Sequence, residues 1–134
     1  YLMDTFNYMN ENPAIADNGF STFRDLAAPE YGLYDKVNWF RGVLDTLSIV
    51  YPHLWDVDFR TQATKLEVPV YFLIGRHDIN APVALTEQYY ELLDAPHKQI
   101  VWFEHSGHTP WVSESDRFVE AMVETILPET YAVR

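Results

Sequence analysis

Val68-Pro69-Val70-Tyr71-Phe72-Leu73-Ile74-Gly75, in the middle of a chain of 134 residues, is the stretch that decides the fold. β-Branched and aromatic residues fill it and a glycine closes it, so it predicts a strand. Its apolar residues run nearly without a break, which predicts a strand covered on both faces, the habit of parallel sheets. Pro69 stands near the start, where a missing N–H is tolerated. Further on, Pro82 suits the first turn of a helix through about Leu93. Ala95-Pro96-His97 makes a turn, and Gln99-Ile100-Val101-Trp102-Phe103 is a second strand. Ser113 with Asp116 three residues on is a capping-box variant that opens a last helix. Phe118, Val119, Met122 and Ile126 form its apolar stripe, and Pro128 stops it. Residues 68–127 thus read β-α-β-α. Two strands joined by a helical crossover are parallel, and the crossover is right-handed in nearly all folds. The expected class is α/β.

Upstream the rhythm is different. Residues 1 to about 33 read as irregular, with a short helical stretch near Leu2 to Met9 and with Pro13, Gly19, Pro29 and Gly32 as punctuation. Asp35 is placed to cap a helix running to about Val50, with Val37, Phe40, Leu44 and Leu47 on one face and Pro52 ending it. Asp58 is expected to cap a short helix from Phe59 to Lys65. Tyr31, Tyr34, Trp39, Phe40, Tyr51 and Trp55 are expected to form the core of this lobe. The change of pattern near Leu66 is the one internal boundary: a mostly helical segment, 1–65, and a β-α-β-α part, 66–134.

Composition narrows the function. The chain is 48% hydrophobic and 16% aromatic, so disorder does not describe it as a whole. Val68 to Ile74 is the longest apolar run, far short of the roughly 20 residues a membrane helix needs. The net charge is −11, with 4 basic and 9 acidic side chains in residues 1–64 against 5 and 11 in 65–134. An acidity this evenly spread repels phosphate, which argues against nucleic acid and anionic membranes as partners. With no cysteine there is no disulfide framework, thiolate metal site or cysteine nucleophile, and a cytoplasmic home is expected. Tyr1 is not an initiator methionine, and Tyr1 to Asn10 lacks the regions of a signal peptide. The sequence therefore reads as starting inside a longer chain.

Parallel strands send their C-terminal ends the same way, about 4.8 Å apart. The loop Gly75-Arg76-His77-Asp78 follows the first strand and Glu104-His105-Ser106-Gly107-His108 follows the second. In open α/β sheets this is the edge where ligands bind. Asp78 and His108 are expected to meet there, the carboxylate accepting the imidazole Nδ1–H, fixing the tautomer and stabilising an imidazolium. Gly107 would let the loop turn sharply and present the ring. The plainer reading of Asp78 is an aspartate that ties its own loop by backbone bonds, and that of His108 a structural imidazole before Pro110. His77 is expected to serve loop packing, Glu104 to face solvent or act as a substitute acid, and Ser106 to be a turn hydroxyl. His53 and His97 read as surface residues beside prolines. Asp56 and Asp58 could meet a substrate amine, though capping suits Asp58 better. His105-x-x-His108 with Asp78 makes a poor metal set, because two histidines three apart share a face only in a helix and Gly107 argues against one.

Pro69 to Asp78, followed by Ala81-Pro82, resembles the strand and acid loop of α/β-hydrolases of the proline-iminopeptidase type. Phe103-Glu104-His105-Ser106-Gly107-His108-Thr109-Pro110 resembles their histidine loop, and an amphipathic helix follows as in that family. The likeness covers about residues 54–127 and is softer over 1–53, which resembles the helical cap these enzymes insert before the acid strand. It implies an acyl hydrolase with Asp78 as triad acid and His108 as triad base, no cofactor and no metal, and a small-molecule or peptide substrate in the intact enzyme. The sequence departs from the family in one respect. A nucleophile elbow needs G-x-S-x-G, and no two of Gly19, Gly32, Gly42, Gly75 and Gly107 are closer than ten residues. Ser21, Ser48, Ser106, Ser113 and Ser115 all lack the elbow. The expectation is a C-terminal hydrolase segment that is inactive without its nucleophile half. The alternative is a non-catalytic interaction module. Either way, a two-stranded sheet is too small to stand alone, so association with the missing half or with copies through the open edge is expected.

Overall fold

The computed structural model describes Thr5, Tyr8, Met9, residues 11–15 and residues 22–131. The helix expected near Leu2 to Met9 lies outside the described residues except for Thr5, Tyr8 and Met9, which are helical. Two parallel strands, β1 (Val70–Gly75) and β2 (Lys98–Phe103), pair in the register Val70↔Lys98 to Gly75↔Phe103. The first ladder bond runs from Val70 N–H to His97 O, so β1 starts after Pro69, which has no donor, rather than at Val68. A helix, Val83–Leu92, makes the crossover. Lys98, at the start of β2, donates its ammonium to the carbonyls of Tyr90 (2.6 Å) and Leu93 (2.9 Å). A cation on the last carbonyls of a helix satisfies groups that have no partner inside it and complements the helix dipole. The crossover is thereby sewn to the strand it leads into.

Side chains alternate across the sheet and divide the packing into layers. Phe72 faces the crossover helix and meets Tyr89 and Tyr90 edge-on, at 6.0 and 5.9 Å between centroids. On the other face Val101 and Phe103 form the core with Ala121, and Leu73 and Phe118 pack against it. That second layer is the C-terminal helical run. It consists of Pro110–Ser113, Ser115–Glu120, a π-helical turn Ala121–Ile126 and Leu127–Thr130. Two expectations fail here. Ser113 does not cap a helix; it ends a short one that starts at Pro110. Pro128 does not stop the last helix, which runs on to Thr130. In the π-helical turn Leu127 N–H bonds to Met122 O, five residues back. This wider turn lets the helix accept a proline ring that would clash in an α-helical ladder. Val119 and Met122, half of the expected stripe, are exposed.

Upstream, α1 (Thr22–Leu26) buries Leu26, and α2 (Leu33–Ile49) follows. Asp35 caps α2 from its first turn rather than from its flank, its carboxylate accepting the Gly32 N–H at 2.9 Å. Pro52 does not turn the chain out of helical structure. α3 (Tyr51–Leu54) continues directly, with Pro52 in its first turn, where the missing N–H is harmless. α4 (Phe59–Gln62) is shorter than expected but starts as expected, with Asp58 Oδ1 accepting the Arg60 N–H. Of the six aromatic residues expected to form the core of this lobe, Tyr31, Tyr34, Phe40, Tyr51 and Trp55 are exposed, Trp39 is half-buried with its ring edge-on to Phe40 at 5.0 Å, and α2 buries no residue. Of the expected apolar face, Val37, Phe40 and Leu44 are exposed and Leu47 is half-buried. In the order of the chain the crossover helix is α5, and the C-terminal run comprises α6 (Pro110–Ser113), α7 (Ser115–Glu120) and, after the π-helical turn, α8 (Leu127–Thr130). No helix among the described residues is long and apolar enough to cross a membrane.

Candidate functional site

The register pairs the last residue of β1, Gly75, with the last residue of β2, Phe103, so both loops leave the sheet at one level. The backbone then stitches them together. Arg76 N–H donates to Phe103 O (2.8 Å), and His77 N–H donates to Ser106 O (3.0 Å). Gly75 is required where they cross: a Cβ there would stand 2.0 Å from Gly107 O and 2.6 Å from Ser106 O. Those are backbone atoms and cannot swing aside. At Gly107 the neighbour is the flexible end of a side chain, which can shift. A Cβ on Gly107 would come within 2.5 Å of Met9 Sδ, and Met9 is buried against the loop.

This interlock brings Asp78 and His108 together, with His108 Nδ1 2.8 Å from Asp78 Oδ2. An ionised carboxylate only accepts, so Nδ1 carries the proton and the ring's basic lone pair is on Nε2. The other oxygen, Oδ1, accepts the N–H groups of Asn80 and Ala81, both at 2.9 Å. Loop tie and imidazole partner, which the sequence left as alternatives for Asp78, are both realised with one oxygen each. The Asp78 side chain is 10% exposed and that of His108 34%. A shielded carboxylate thus backs a ring that reaches the surface.

The neighbouring residues have other partners. Arg76 grips Glu104 with two nitrogens, at 2.9 and 2.8 Å, while its guanidinium lies 3.6 Å over the Trp102 ring. The Arg76 cation holds the Glu104 carboxyl below its ordinary value of 4.5, and Glu104 raises Arg76 in return. Glu104 is therefore engaged in a loop-to-loop ion pair. Ser106 is fully buried, and its hydroxyl donates to Glu114 Oε2 at 2.6 Å. The same oxygen accepts the His105 N–H at 2.9 Å. The His105 side chain is exposed, and among the described residues no three His, Asp or Glu are grouped to hold a metal ion. His53 is exposed. His97 stacks on Tyr71, with ring centroids 5.3 Å apart, and lies 3.4 Å from Glu129. Glu129 also accepts the Tyr71 hydroxyl, and that bond pushes the phenol up to about 12.

Asp58 gives both oxygens to Arg60 besides its capping bond, so it serves the turn. A groove of about 760 Å³, lined by residues that include Trp55, Phe59, Phe72 and Tyr89, contains no residue of either loop. Sequence reasoning missed Glu114, Arg76 and Met9. The strand register would have exposed the second, since Arg76 and Glu104 each stand one step past a paired strand end. Nothing local points to Glu114 or Met9.

No protein-family model matches the chain. It is 30% identical over 100 residues to a probable aminopeptidase of Bacillus subtilis, YbaC, a match covering 75% of this chain and 31% of that protein. It is 33% identical over 78 residues to a pimeloyl-acyl-carrier-protein methyl ester esterase of Aliivibrio salmonicida, covering 57% of this chain and 28% of the esterase. Among solved structures, an alpha/beta fold family hydrolase from Bacillus anthracis superposes with a TM-score of 0.53 at 19% identity, covering 92% of this chain and 47% of that one. The chain spans about a third of the length of the curated relatives it matches. None of these names is a proline iminopeptidase, so that subtype is not carried by the comparisons.

Proposed function

The chain belongs to the α/β-hydrolases, and from that premise we propose that it is the C-terminal part of a serine acyl hydrolase, supplying the acid and the base of its triad. Residues 1–65 serve as the cap segment and 66–134 as the core part. The supporting observation is the single bond between His108 Nδ1 and Asp78 Oδ2 at the strand ends. In the catalytic cycle His108 Nε2 takes the proton of an attacking serine hydroxyl as it adds to the substrate carbonyl. Asp78 stabilises the resulting imidazolium and holds the ring. The same proton then passes to the departing amine or alcohol, and water repeats the sequence on the acyl-enzyme. The nucleophile comes from outside this sequence, which has no G-x-S-x-G, and the chain alone does not turn over.

An aminopeptidase reading is favoured over an esterase one. The 100-residue match to the probable aminopeptidase is longer than residues 66–134 and so extends into the cap segment, where the 78-residue esterase match has less room to reach. The test starts upstream of Tyr1, by looking for a G-x-S-x-G in the same reading frame. In the protein that carries it, His108→Ala lowers turnover of an aminoacyl or ester reporter by about a thousandfold or more. Unchanged turnover sinks the assignment. The second reading, a non-catalytic module, is favoured by the open side of β1, which among the described residues pairs with β2 alone. Its prediction is association through that edge, with the missing half or with a second copy. A stable, dilute monomer in sedimentation counts against it.

A further inference from the structure

Two side-chain contacts brace the histidine loop, one to the acid loop and one to the helical layer, and they are not of equal weight. Arg76–Glu104 is solvent-exposed on both sides, and such pairs are screened and cheaply lost. The Ser106 hydroxyl is wholly buried, and one oxygen of Glu114 takes both it and the His105 N–H. A bond from a buried hydroxyl to a carboxylate is among the stronger kinds, and losing it leaves a buried group without its partner. Ser106 is also the residue whose carbonyl accepts the His77 N–H of the acid loop, one residue before Asp78. Its carbonyl stands against Gly75 at the loop crossing.

We infer that Glu114, through Ser106, is a positioning residue for the Asp78–His108 pair. It fixes the loop peptide on which both the acid and the imidazole are registered. Glu114 sits between α6 and α7, so it anchors the histidine loop to the helical layer that packs under β2. The carboxylate touches neither partner of the pair and acts by holding the Ser106 peptide still. This rests on the triad reading of Asp78 and His108.

The experiment is ¹⁵N-resolved NMR of the histidine rings in the full chain, following the His108 Nδ1 proton and its exchange with water. The wild-type chain gives a protected, downfield ring proton that Asp78→Ala abolishes. In Glu114→Ala and Ser106→Ala that proton exchanges roughly five- to thirtyfold faster, the consequence of one lost buried bond, while β1–β2 amides stay protected. Glu114→Gln, which keeps an acceptor of the same reach, restores most of the protection. A purely structural role would lower stability and leave the ring proton unmoved in molecules that remain folded. Wild-type exchange in folded Ser106→Ala, together with wild-type exchange in Glu114→Ala, overturns the inference. If Glu114→Ala fails to fold, Ser106→Ala decides it alone. Turnover lost in His108→Ala beside an unmoved ring proton would leave the triad standing and remove the clamp.

Discussion

The loop junction and helix α2 make opposite uses of a similar supply of apolar and polar residues. At the junction Phe103, Ser106, Gly107, Thr109 and Pro110 are all buried within eight positions, and every crossing is closed by a backbone or carboxylate bond. Along the 17 residues of α2 none is buried, and Leu44 is 64% exposed. The junction is finished by its own sequence. α2 has a capped start and an apolar face, yet Val37, Phe40 and Leu44 on that face are exposed. The lesson is that the acid–histidine pair is held by bonds the described residues supply, whereas the helical segment presents an apolar face that they leave exposed.

That contrast can be broken or sharpened by substitution. The largest effect is expected from Phe103→Ala, which empties a fully buried site and costs about 3–5 kcal/mol; denaturant titration followed by tryptophan fluorescence reads it. Next comes Gly75→Ala. A methyl group 2.0 Å from Gly107 O forces the loops apart, costing about 1–3 kcal/mol and separating Asp78 from His108. Its midpoint and the His108 ring proton should fall together, and a stable variant with the ring proton intact would mean the crossing is not rigid. Leu44→Ser on α2 is expected to shift stability by no more than about 0.5 kcal/mol while lowering the sedimenting mass if that face is occupied by a second copy. A loss as large as that at Phe103 would erase the distinction between the regions.

The smallest effect is a pH dependence. Arg76 depresses Glu104 from its ordinary 4.5, so the pair contributes stability that is present above that pH and fades as the pH falls through the lower, folded-state value. Arg76→Ala should therefore lower stability slightly near neutrality, flatten the profile below pH 4.5 and meet the wild-type profile in acid. A uniform drop at all pH values would mean that the contact of the guanidinium with Trp102, rather than the charge, is what matters.

How much of this was legible follows from the range of each interaction. The strands, the crossover and the Asp58 cap are local patterns of period or capping, and they read correctly to within two or three residues. The meeting of Asp78 and His108 was legible because parallel strands must end together. What failed was of two kinds. Pro128 and Ser113 were read by rules for an α-helical ladder, which a π-helical turn and an early start at Pro110 set aside. The aromatic residues from Tyr31 to Trp55 were assigned to a core by composition, although composition cannot say which surfaces face a partner. Glu114 escaped because its bonds run to residues eight and nine positions back, outside any helical period.

The crossover has one more consequence, in time rather than in space. Val70 and Lys98 cannot pair until α5 has formed or folded back between them, so the sheet is closed by contacts of long sequence separation. Contacts of that kind pay their loop entropy before any bond repays it, which makes them late events. Asp78 and His108 lie just beyond the C-terminal end of that register, so their bond depends on the same long-range pairing. In a refolding experiment the protected His108 ring proton should therefore appear at the same rate as the β1–β2 amides, and never ahead of them. The pair is a clock for the completion of its own scaffold.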